Sequence, residues 1–331
     1  MKFEEVFTFE NLFNSYKECC KGVNWKTSTK NYQVRSIQNI AETYNSLHSG
    51  TYKQRPFAKF KIHERGKTRE IKALHIKDRV VQKCFCDYFL VPLLSKSLIY
   101  DNGACMKNKG LMFTANRLKA HLQKYFRKNK SNIGYILTFD FSKFFDSINH
   151  KILLQKARKL IHDKRLFNLY EYFVNSFEGE AGLGLGSQIS QISALFYTNE
   201  LDHFLKEKMH MKYYGRYMDD GYIICNSKEK LRECIEVLKE FSEKLKLKLN
   251  LKKTKIWRID KGFMFLNRHW ILKETGFIKT KPSHRTLSRL KKRYKKIKEK
   301  VSADALERYS ASINGFLKFF NNRRIINYVY N

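Results

Sequence analysis

Apolar side chains recur at every third or fourth position along several stretches of the chain, and this period predicts helices. The predicted helical stretches are Phe9 to Asn45, Asp78 to Leu94, Gln188 to Lys208, Lys228 to Leu249 and Ser283 to Lys300, followed by an apolar helical end at Ile313 to Phe320. Most of them have a polar face opposite the apolar one, so we expect them to pack on a core. Ser283 to Lys300 differs, because it is almost purely basic.

Other stretches are rich in β-branched and aromatic residues, which predicts strands. They are Thr51 to Leu74, Tyr135 to Phe141, Tyr213 to Tyr217 and Tyr222 to Cys225. A turn at Glu64 to Lys67 divides the first of them, and the second is apolar enough to be buried on both faces. Met218-Asp219-Asp220-Gly221 joins the last two as a tight hairpin turn, which places two acids at its tip.

The chain shows no flexible internal boundary. It has 331 residues, 43% of them apolar, with only 3 prolines, and it lacks a glycine- and serine-rich linker. A chain of this length suits one large domain or two to three tightly coupled subdomains.

Basic residues greatly outnumber acidic ones. Lys and Arg total 66 against 31 Asp and Glu, which gives a formal charge of +35, spread from Lys2 to Arg324. The chain also contains 19 Tyr and 26 Phe. Basic side chains bind phosphates and aromatic rings stack on bases, so nucleic acid is a better partner than a membrane surface, which would favour a single basic stripe.

The sequence has no stretch that approaches the roughly 20 apolar residues of a membrane helix. Met1 to Phe9 contains Lys2, Glu4 and Glu5, unlike a signal peptide. We therefore expect a cytoplasmic protein that does not bind a membrane. The 7 cysteines lack the spacing of a zinc site or of a disulfide framework, which predicts reduced thiols.

Asp140 and the Asp219-Asp220 pair have the character of a two-metal site. Nucleotidyl transfer needs two divalent cations about 3.5 to 4 Å apart, and Mg²⁺ prefers a few carboxylates together with substrate phosphates. Alone, Asp140 could be a helix cap or a surface acid, and the pair could be a simple turn. Their order along the chain, separated by a glycine-rich turn and a helix, favours catalysis.

Three glycines lie close together in Gly182-Leu-Gly-Leu-Gly186. Their spacing matches neither a P-loop nor a dinucleotide-binding loop. We interpret them as letting the backbone approach a nascent base pair, where a side chain would be in the way.

In combination these residues resemble the reverse transcriptase family over nearly the whole chain. Tyr217-Met-Asp-Asp220 is similar to the polymerase signature of that family, and Phe139-Asp-Phe-Ser-Lys-Phe-Phe-Asp146 is similar to its first catalytic motif. The resemblance implies an α+β fold, a right-hand polymerase whose palm is an antiparallel sheet packed on helices. We expect an N-terminal extension and fingers at 1–133, a palm with interleaved fingers residues and the primer grip at 134–280, and a basic helical thumb at 281–331.

The resemblance also implies roles for single residues near the catalytic motifs. Asp140, Phe141, Asp219 and Asp220 would hold two Mg²⁺ ions, for which Mn²⁺ can substitute. Phe145 would be the steric gate that rejects a ribose 2′-hydroxyl. Deoxynucleotides are therefore the expected substrates.

Further matches lie upstream and downstream of these motifs. Lys67 and Arg69 resemble fingers residues that hold the incoming triphosphate, although each could be an ordinary solvent-facing charge on a strand. Lys253 resembles a lysine that acts as general acid near the pyrophosphate. Gly262 to Leu266 resembles the primer grip, and Asn267 stands where the family usually has glycine.

Gly186-Ser-Gln-Ile-Ser-Gln191 and Asn199-Glu-Leu-Asp-His203 are most similar to the diversity-generating retroelement branch. That branch copies a template RNA and transfers a mutated cDNA into a target gene, with a small basic accessory protein as partner. Leu185, Gly186 and Gln191 are expected beside the incoming nucleotide. Most relatives have a glutamine at the position of Leu185, so copying is expected to be error-prone at template adenines.

Two other interpretations remain open. A phage-defence or retron-like reverse transcriptase would use the same metal site, although the Val-Thr-Gly motif of the retron type does not occur. A nucleic-acid-binding module that has lost turnover would not need the metal acids, all of which are present. The expected partners are template RNA, the cDNA/RNA duplex, dNTPs and a basic accessory protein.

Overall fold

The computed structural model describes residues 1–64, 66–320 and 323–330, and for Glu64, Lys67, Arg323 and Arg324 it describes the backbone alone. The chain divides into two compact units, each assembled from separate stretches of sequence. The first unit contains Met1–Gly110, Phe141–His210 and Glu236–Leu249, and the second contains Leu111–Asp140, Met211–Ile235 and Asn250–Asn331. Both units contain helices and antiparallel strands, so the expected α+β class is confirmed.

Helices make up most of the structure. In chain order they are α1 (Phe3–Val6), α2 (Phe9–Cys20), α3 (Thr27–Val34), α4 (Ser36–His48), α5 (Ile76–Phe85), α6 (Val91–Ser95), α7 (Leu111–Asn129), α8 (Phe144–Ser147), α9 (His150–Arg158), α10 (Lys164–Asn175), α11 (Gln188–Tyr197), α12 (Asn199–His203), α13 (Lys228–Lys244), α14 (His284–Lys298), α15 (Ala303–Lys318) and α16 (Arg323–Tyr330). Short π-helical turns, Cys86–Leu90 and Phe204–Lys208, continue α5 and α12.

The strands are short and pair antiparallel. They are β1 (Ala58–Glu64), β2 (Lys67–Ala73), β3 (Tyr135–Ser142), β4 (Tyr213–Tyr217), β5 (Asp220–Cys225), β6 (Lys248–Leu249), β7 (Lys255–Arg258), β8 (Phe263–Phe265), β9 (Arg268–Leu272) and β10 (Ile278–Pro282). The pairings β1–β2, β3–β5, β3–β7, β4–β5, β8–β9 and β9–β10 each lie within one unit.

The first unit is a helical assembly with the β1–β2 hairpin. Helix α2 packs on α5, and α11 packs on α6. Every residue of α11 except Gln188 and Gln191 is buried, so α11 is a central helix of this unit. The last residues of β3, Phe141 and Ser142, also belong here and pair with β6.

The second unit is built on the strand order β4-β5-β3-β7. Helix α7 packs on β4 and β5, and the fully buried Trp270 and Tyr222 belong to the apolar core of this unit. All residues of β3 between Tyr135 and Ser142 are buried, which confirms the prediction of a strand covered on both faces.

Helices α14, α15 and α16 form a smaller apolar cluster near the end of the second unit. Ile313, Leu317 and Val329 are buried in it. Helix α14 has no fully buried residue, and most of its basic side chains are exposed. The predicted basic helix is therefore confirmed.

Two predicted helices have different bounds in the structure. The stretch from Phe9 to Asn45 is divided into three helices, α2 to α4. The stretch predicted to run to Leu249 ends at Lys244, because Lys246 has a φ of +52°, which no α-helix contains. Leu249 instead pairs with Phe141 in the β3–β6 ladder. The apolar helical end predicted at Ile313 to Phe320 belongs to α15, which already begins at Ala303, and the strand region predicted from Thr51 begins at Ala58. The other predicted elements agree to within a few residues, although Arg65 in the β1–β2 turn lies outside the described residues.

All seven cysteines are free thiols, as expected.

Gly221 is required by the packing of the central sheet. It lies in β5 directly opposite Phe139 of β3, and a Cβ atom on it would overlap the Phe139 ring. That ring is buried and stacks on Tyr214 with ring centroids 6.4 Å apart, so it has little room to move.

We expect Gly221→Ala to lower the free energy of unfolding by about 1–3 kcal/mol, because the added methyl group overpacks the sheet. Urea denaturation followed by circular dichroism measures this change. Gly315→Ala is the control, since nothing lies within 4 Å of its added Cβ and alanine favours a helix by about 1 kcal/mol. A similar loss of stability in both variants would contradict the role of Phe139.

Candidate active site

Asp140, Asp219 and Asp220 lie at one end of the β3–β5 strand pair in the second unit. Asp140 is buried near the end of β3 and lies opposite Asp220 in the antiparallel register. Asp219 precedes Asp220 in the turn between β4 and β5. Because β5 begins at Asp220 and not at Tyr222 as predicted, the loop contains only Met218 and Asp219. The longer β5 is what places Asp220 beside Asp140.

Asp219 and Asp220 both have raised pKa values. Burial is the largest cause for each carboxyl group. The Asp140 charge also raises the pKa of Asp219, and the charges of Asp219 and Asp140 help to raise the pKa of Asp220 to about 7. Burial and the neighbouring carboxylates therefore both disfavour the charged form of these two groups.

Asp140 is held by the segment that follows β6. Asn250 donates its side-chain N–H to Asp140 Oδ1 at 3.0 Å, and its backbone N–H to the Asp140 carbonyl at 2.8 Å. Lys253 Nζ donates to Asp140 Oδ2 at 2.8 Å. These contacts fix both oxygens of the carboxylate.

Lys253 is a protonated ammonium group at neutral pH. Burial lowers its pKa, but the hydrogen bond and charge of Asp140, with the charges of Asp220 and Asp219, outweigh burial and raise the pKa above its usual value. Lys253 can therefore donate a proton in this cluster, and it cannot serve as a base.

Arg216 stabilises the turn that carries Asp219. Met218 has a φ of +55°, a conformation that costs a non-glycine residue about 1–2 kcal/mol. The fully buried Arg216 donates from Nη1 to the Met218 carbonyl at 2.7 Å. Its charge also lowers the pKa of Asp219, so one buried arginine both stabilises the turn and offsets part of the acidic charge.

A groove of about 340 Å³ adjoins Asp140 and Asp220. Lys252, Lys253 and Lys255 line it. The combination of carboxylates and ammonium groups suits a substrate that brings both phosphates and divalent cations.

The predicted primer-grip segment lines the same groove. It forms the β8–β9 hairpin, in which Phe265 pairs with Arg268. The two loop residues, Leu266 and Asn267, have φ values of +51° and +59°, as a type I′ turn requires. Asn adopts this conformation more readily than most residues, so the turn forms although the family's usual glycine is replaced by Asn267.

In the first unit, the glycine loop is bonded to the segment that carries Phe145. Leu183 donates its backbone N–H to the Phe145 carbonyl at 2.9 Å, and Gly182 donates to the Ile148 carbonyl at 2.9 Å. His150 Nε2 lies 2.8 Å from the Gly182 carbonyl. Phe145 and the start of the glycine loop therefore form one local structure.

Leu185 and Gly186 are the next residues of this loop. Leu185 is half-buried, and Gly186 is exposed with a φ of +104°. A Cβ on Gly186 would lie 3.7 Å from Ile71 Cγ2 in β2, so the loop runs beside that strand. Gln191 follows, half-buried in α11.

Two candidate residues for the triphosphate lie on β2. Arg69 has an exposed side chain. The side chain of Lys67 lies outside the described residues. The structure thus brings Asp140, Asp219, Asp220 and Lys253 together in the second unit, whereas Phe141 and the remaining candidates belong to the first.

The chemistry of the acid cluster fits Mg²⁺. Its donors are carboxylate oxygens, which hard divalent cations prefer, and their mutual repulsion is what a cation would relieve. In the described part of the chain, no three His, Cys, Asp or Glu side chains already converge as a complete metal site. Mg²⁺ is usually held by one or two carboxylates together with substrate phosphates. The Phe141 ring has no donor atom, so only its backbone carbonyl could contribute.

A family described as reverse transcriptase (RNA-dependent DNA polymerase) matches residues 58–269. The chain belongs to the reverse transcriptase family. The match covers the strands and helices that carry all of the candidate residues, and it confirms the expected enzyme class, an RNA-directed DNA polymerase. A relative of this reverse transcriptase is Protein YkfC of Escherichia coli (strain K12), which is 24% identical over 74% of this chain and 74% of its own length.

Solved structures with a similar fold include two yeast telomerases. Telomerase from Candida albicans in complex with a TWJ fragment of telomeric RNA has a TM-score of 0.54 at 12% identity, covering 84% of this chain and 55% of that one. Apo telomerase from Candida tropicalis, truncated from its C-terminal domain, has a TM-score of 0.53 at 16% identity, covering 74% and 60%. This reverse transcriptase thus spans little more than half the length of those chains. The likeness confirms the right-hand polymerase fold class.

Among the described residues of this reverse transcriptase, no helix is long and apolar enough to cross a membrane.

Three residues of the site were not found from the sequence. Arg216 looks like an ordinary strand residue, because its burial depends on the packed sheet. His150 begins a helix and shows no pattern that links it to the glycine loop. Asn250 had a usable signal, since it directly precedes the leucine and lysines of the motif that contains Lys253.

We expect Asp220→Asn to make the protein more stable than the wild type at pH 8 in EDTA. Asp220 has a folded pKa of about 7 against an ordinary 3.8. The stability that its protonated carboxyl group contributes is fully present below 3.8 and is lost as the pH rises to about 7. Asparagine avoids that loss, and each pKa unit corresponds to about 1.4 kcal/mol. Chemical denaturation at pH 4 to 8 should show the difference growing with pH.

The control is Glu274→Gln, which removes an exposed carboxylate from the β9–β10 turn. Its stability should follow that of the wild type at every pH. A difference between Asp220→Asn and the wild type that does not change with pH would contradict the raised pKa.

Proposed function

We propose that this reverse transcriptase copies a template RNA into cDNA at Asp140, Asp219 and Asp220, and that it does so as an error-prone enzyme of the diversity-generating retroelement type. The observation that supports the polymerase chemistry best is the acid cluster at the end of the β3–β5 pair, with Lys253 bonded to it at 2.8 Å. A protein that only binds nucleic acid has no use for three carboxylates that repel one another.

The proposed division of labour follows from the contacts. Asp140 and Asp219 act as the metal-binding carboxylates, and Asp220 supports them through its place opposite Asp140. Two bound Mg²⁺ ions would supply activation of the primer 3′-hydroxyl and charge stabilisation at the leaving pyrophosphate. Asn250 orients Asp140 by holding Oδ1 and the backbone carbonyl.

Lys253 is proposed to protonate the leaving pyrophosphate. Its raised pKa keeps the proton on Nζ until negative charge develops nearby. Its side chain is about half exposed, so it can reach a substrate without leaving the cluster entirely.

Residues of the first unit are proposed to select the nucleotide. Arg69, with Lys67, holds the triphosphate, because a guanidinium makes paired hydrogen bonds to phosphate oxygens. Phe145 excludes a 2′-hydroxyl. Gly186 and Gln191 contact the incoming nucleotide.

The proposal of low fidelity depends on Leu185. Its half-buried position in a loop that is bonded to the Phe145 segment supports a place beside the copied base pair. A leucine side chain cannot hydrogen-bond to the base pair, so it stabilises a correct pair and a mispair to a similar extent. In the retroelement branch, a template RNA and a small basic accessory protein would be the partners.

The assignment of residues 1–133, 134–280 and 281–331 to fingers, palm and thumb stays part of this proposal, as does a cytoplasmic location. The exposed basic helix α14 supports the thumb assignment, because it would contact the duplex backbone.

We expect Asp219→Asn to reduce primer extension on a defined RNA template with Mg²⁺ by about 100-fold or more, because a metal ligand and its charge are lost together. The measurement is single-nucleotide incorporation with purified protein. Asp146→Asn is the control, since it removes an exposed acid from the first catalytic motif and should retain activity. Extension that survives in Asp219→Asn would favour a module that binds nucleic acid without turnover.

We expect Leu185→Gln to lower the error rate at template adenines by about tenfold, on the scale of one added discriminating hydrogen bond of about 1.4 kcal/mol. Sequencing of the cDNA gives the error spectrum. Leu185→Met is the matched control, because methionine is similar in size and cannot hydrogen-bond the pair as an amide does; it should remain inaccurate. If the wild type copies adenines accurately, the retroelement assignment fails and a defence enzyme is favoured.

A further inference from the structure

A large cavity lies wholly in the first unit and shares no residue with the acid cluster. It is an open groove of about 1260 Å³ between α9, α10 and the end of α13. Six basic side chains and three acidic ones line it. No step of the proposed polymerase reaction uses this groove.

The acids of the groove are partly neutralised already. Glu200 forms ion pairs with Lys156 Nζ at 3.3 Å and with Lys244 Nζ at 3.6 Å. Lys156 is itself buried, and it also donates to the Tyr197 carbonyl at 2.9 Å. Burial lowers the pKa of Lys156, and Glu200 opposes that effect. This bonded group neutralises Glu200, whereas Glu171 and Glu180 line the groove without an ion pair among the described residues.

Four other basic residues keep their charge available. Lys151, Arg158, Lys159 and Lys246 are exposed, and in the described part of the chain none of them has a carboxylate within ion-pair distance. Arg158 instead lies over the Phe167 ring at 4.7 Å, which orients its guanidinium while its hydrogen-bond donors stay free for a ligand.

The spacing of these cations suits a chain of phosphates. Lys151 and Arg158 are seven residues apart on α9, so they lie on one face about 10 Å apart along the helix. Lys244 and Lys246 line the groove from the end of α13. Cations spaced in this way along a helix can contact successive phosphates of one strand, and the groove volume exceeds that of typical small-molecule pockets.

We propose that this groove binds the sugar-phosphate backbone of an RNA segment other than the copied template–primer duplex. RNA fits better than an acidic protein segment, because phosphates recur at every nucleotide along one strand and a guanidinium pairs with phosphate oxygens through two parallel hydrogen bonds. The inference depends on the groove alone and stands apart from the catalytic proposal.

The test is fluorescence anisotropy with a labelled 20-nucleotide oligouridylate and the full chain, in the presence of saturating unlabelled primer–template duplex. The substitutions Lys151→Gln, Arg158→Gln and Lys159→Gln are combined in one variant. This variant should bind the probe about tenfold more weakly and should lower the slope of log affinity against log salt by about 2, as expected for three lost phosphate contacts on a single strand.

The matched control combines Lys228→Gln, Lys230→Gln and Arg232→Gln. These residues are also two lysines and one arginine, exposed on a helix outside the groove, so the overall charge changes equally. The control variant should bind the probe as the wild type does. An equal loss in both variants, or no loss in either, would overturn the proposal.

Two further measurements address the ligand and the fold. Polyglutamate of equal charge should displace the probe far less well than unlabelled oligouridylate; equal displacement would overturn RNA in favour of an acidic protein segment. In the wild type, which needs no substitution, the probe should protect Lys151, Lys159 and Lys246 from lysine acylation but not Lys228 or Lys230. Uniform protection, or none, would overturn the groove assignment.

The Asp140→Asn variant separates this inference from the proposed function. It should lose primer extension but still bind the probe with the affinity of the wild type. Loss of probe binding in Asp140→Asn would show that the binding belongs to the catalytic site and would overturn the groove proposal, whereas retained extension would overturn only the catalytic one.

Discussion

Like charges stand side by side at the end of one strand pair, and much of the second unit serves to keep them there. The antiparallel register sets Asp140 opposite Asp220, and the two-residue turn adds Asp219. Burial and mutual repulsion raise the pKa values of Asp219 and Asp220, so the cluster opposes folding at neutral pH. It persists because the register of a fully buried strand cannot slip by one residue without exposing its apolar side chains.

The residues around the cluster limit how strongly its carboxylates destabilise the fold. Lys253 and Asn250 hold Asp140 with short hydrogen bonds, and Arg216 supports the strained turn at Met218. None of these contacts removes the negative charge completely. The remaining charge is the property that a site for divalent cations needs, since a fully neutralised cluster would have little affinity for them. The same carboxylates therefore lower the stability of the fold and provide the affinity for divalent cations.

The basic residues that give the chain its formal charge of +35 lie in several different environments. Lys253 is bonded within the acid cluster, whereas helix α14 presents its basic residues without burying any of them. The groove beside α9 combines bonded lysines, such as Lys156, with unbonded ones, such as Lys151. A uniformly basic composition therefore becomes several distinct surfaces, and each can hold phosphates in a different way.

The sequence by itself determined the local elements and the class of chemistry. Among the described residues, periods of three to four and runs of β-branched residues located most helices and about half of the strands, because amphipathic patterning depends only on the neighbours along the chain. The order of Asp140, the glycine cluster and the Asp219-Asp220 pair identified the reverse transcriptase family. Tertiary structure decided where elements end: Leu249 joined a strand because Phe141 offered it a pairing partner.

Tertiary structure also decided which residues support the site. Arg216, His150 and Asn250 act through contacts with residues distant in sequence or through burial, and neither leaves a periodic signal. The same holds for the groove beside α9, which forms only when α10 and the end of α13 pack near it. A pattern in the chain can state that a side chain is charged, but only packing decides whether that charge is paired, strained or free, because its partners come from other segments.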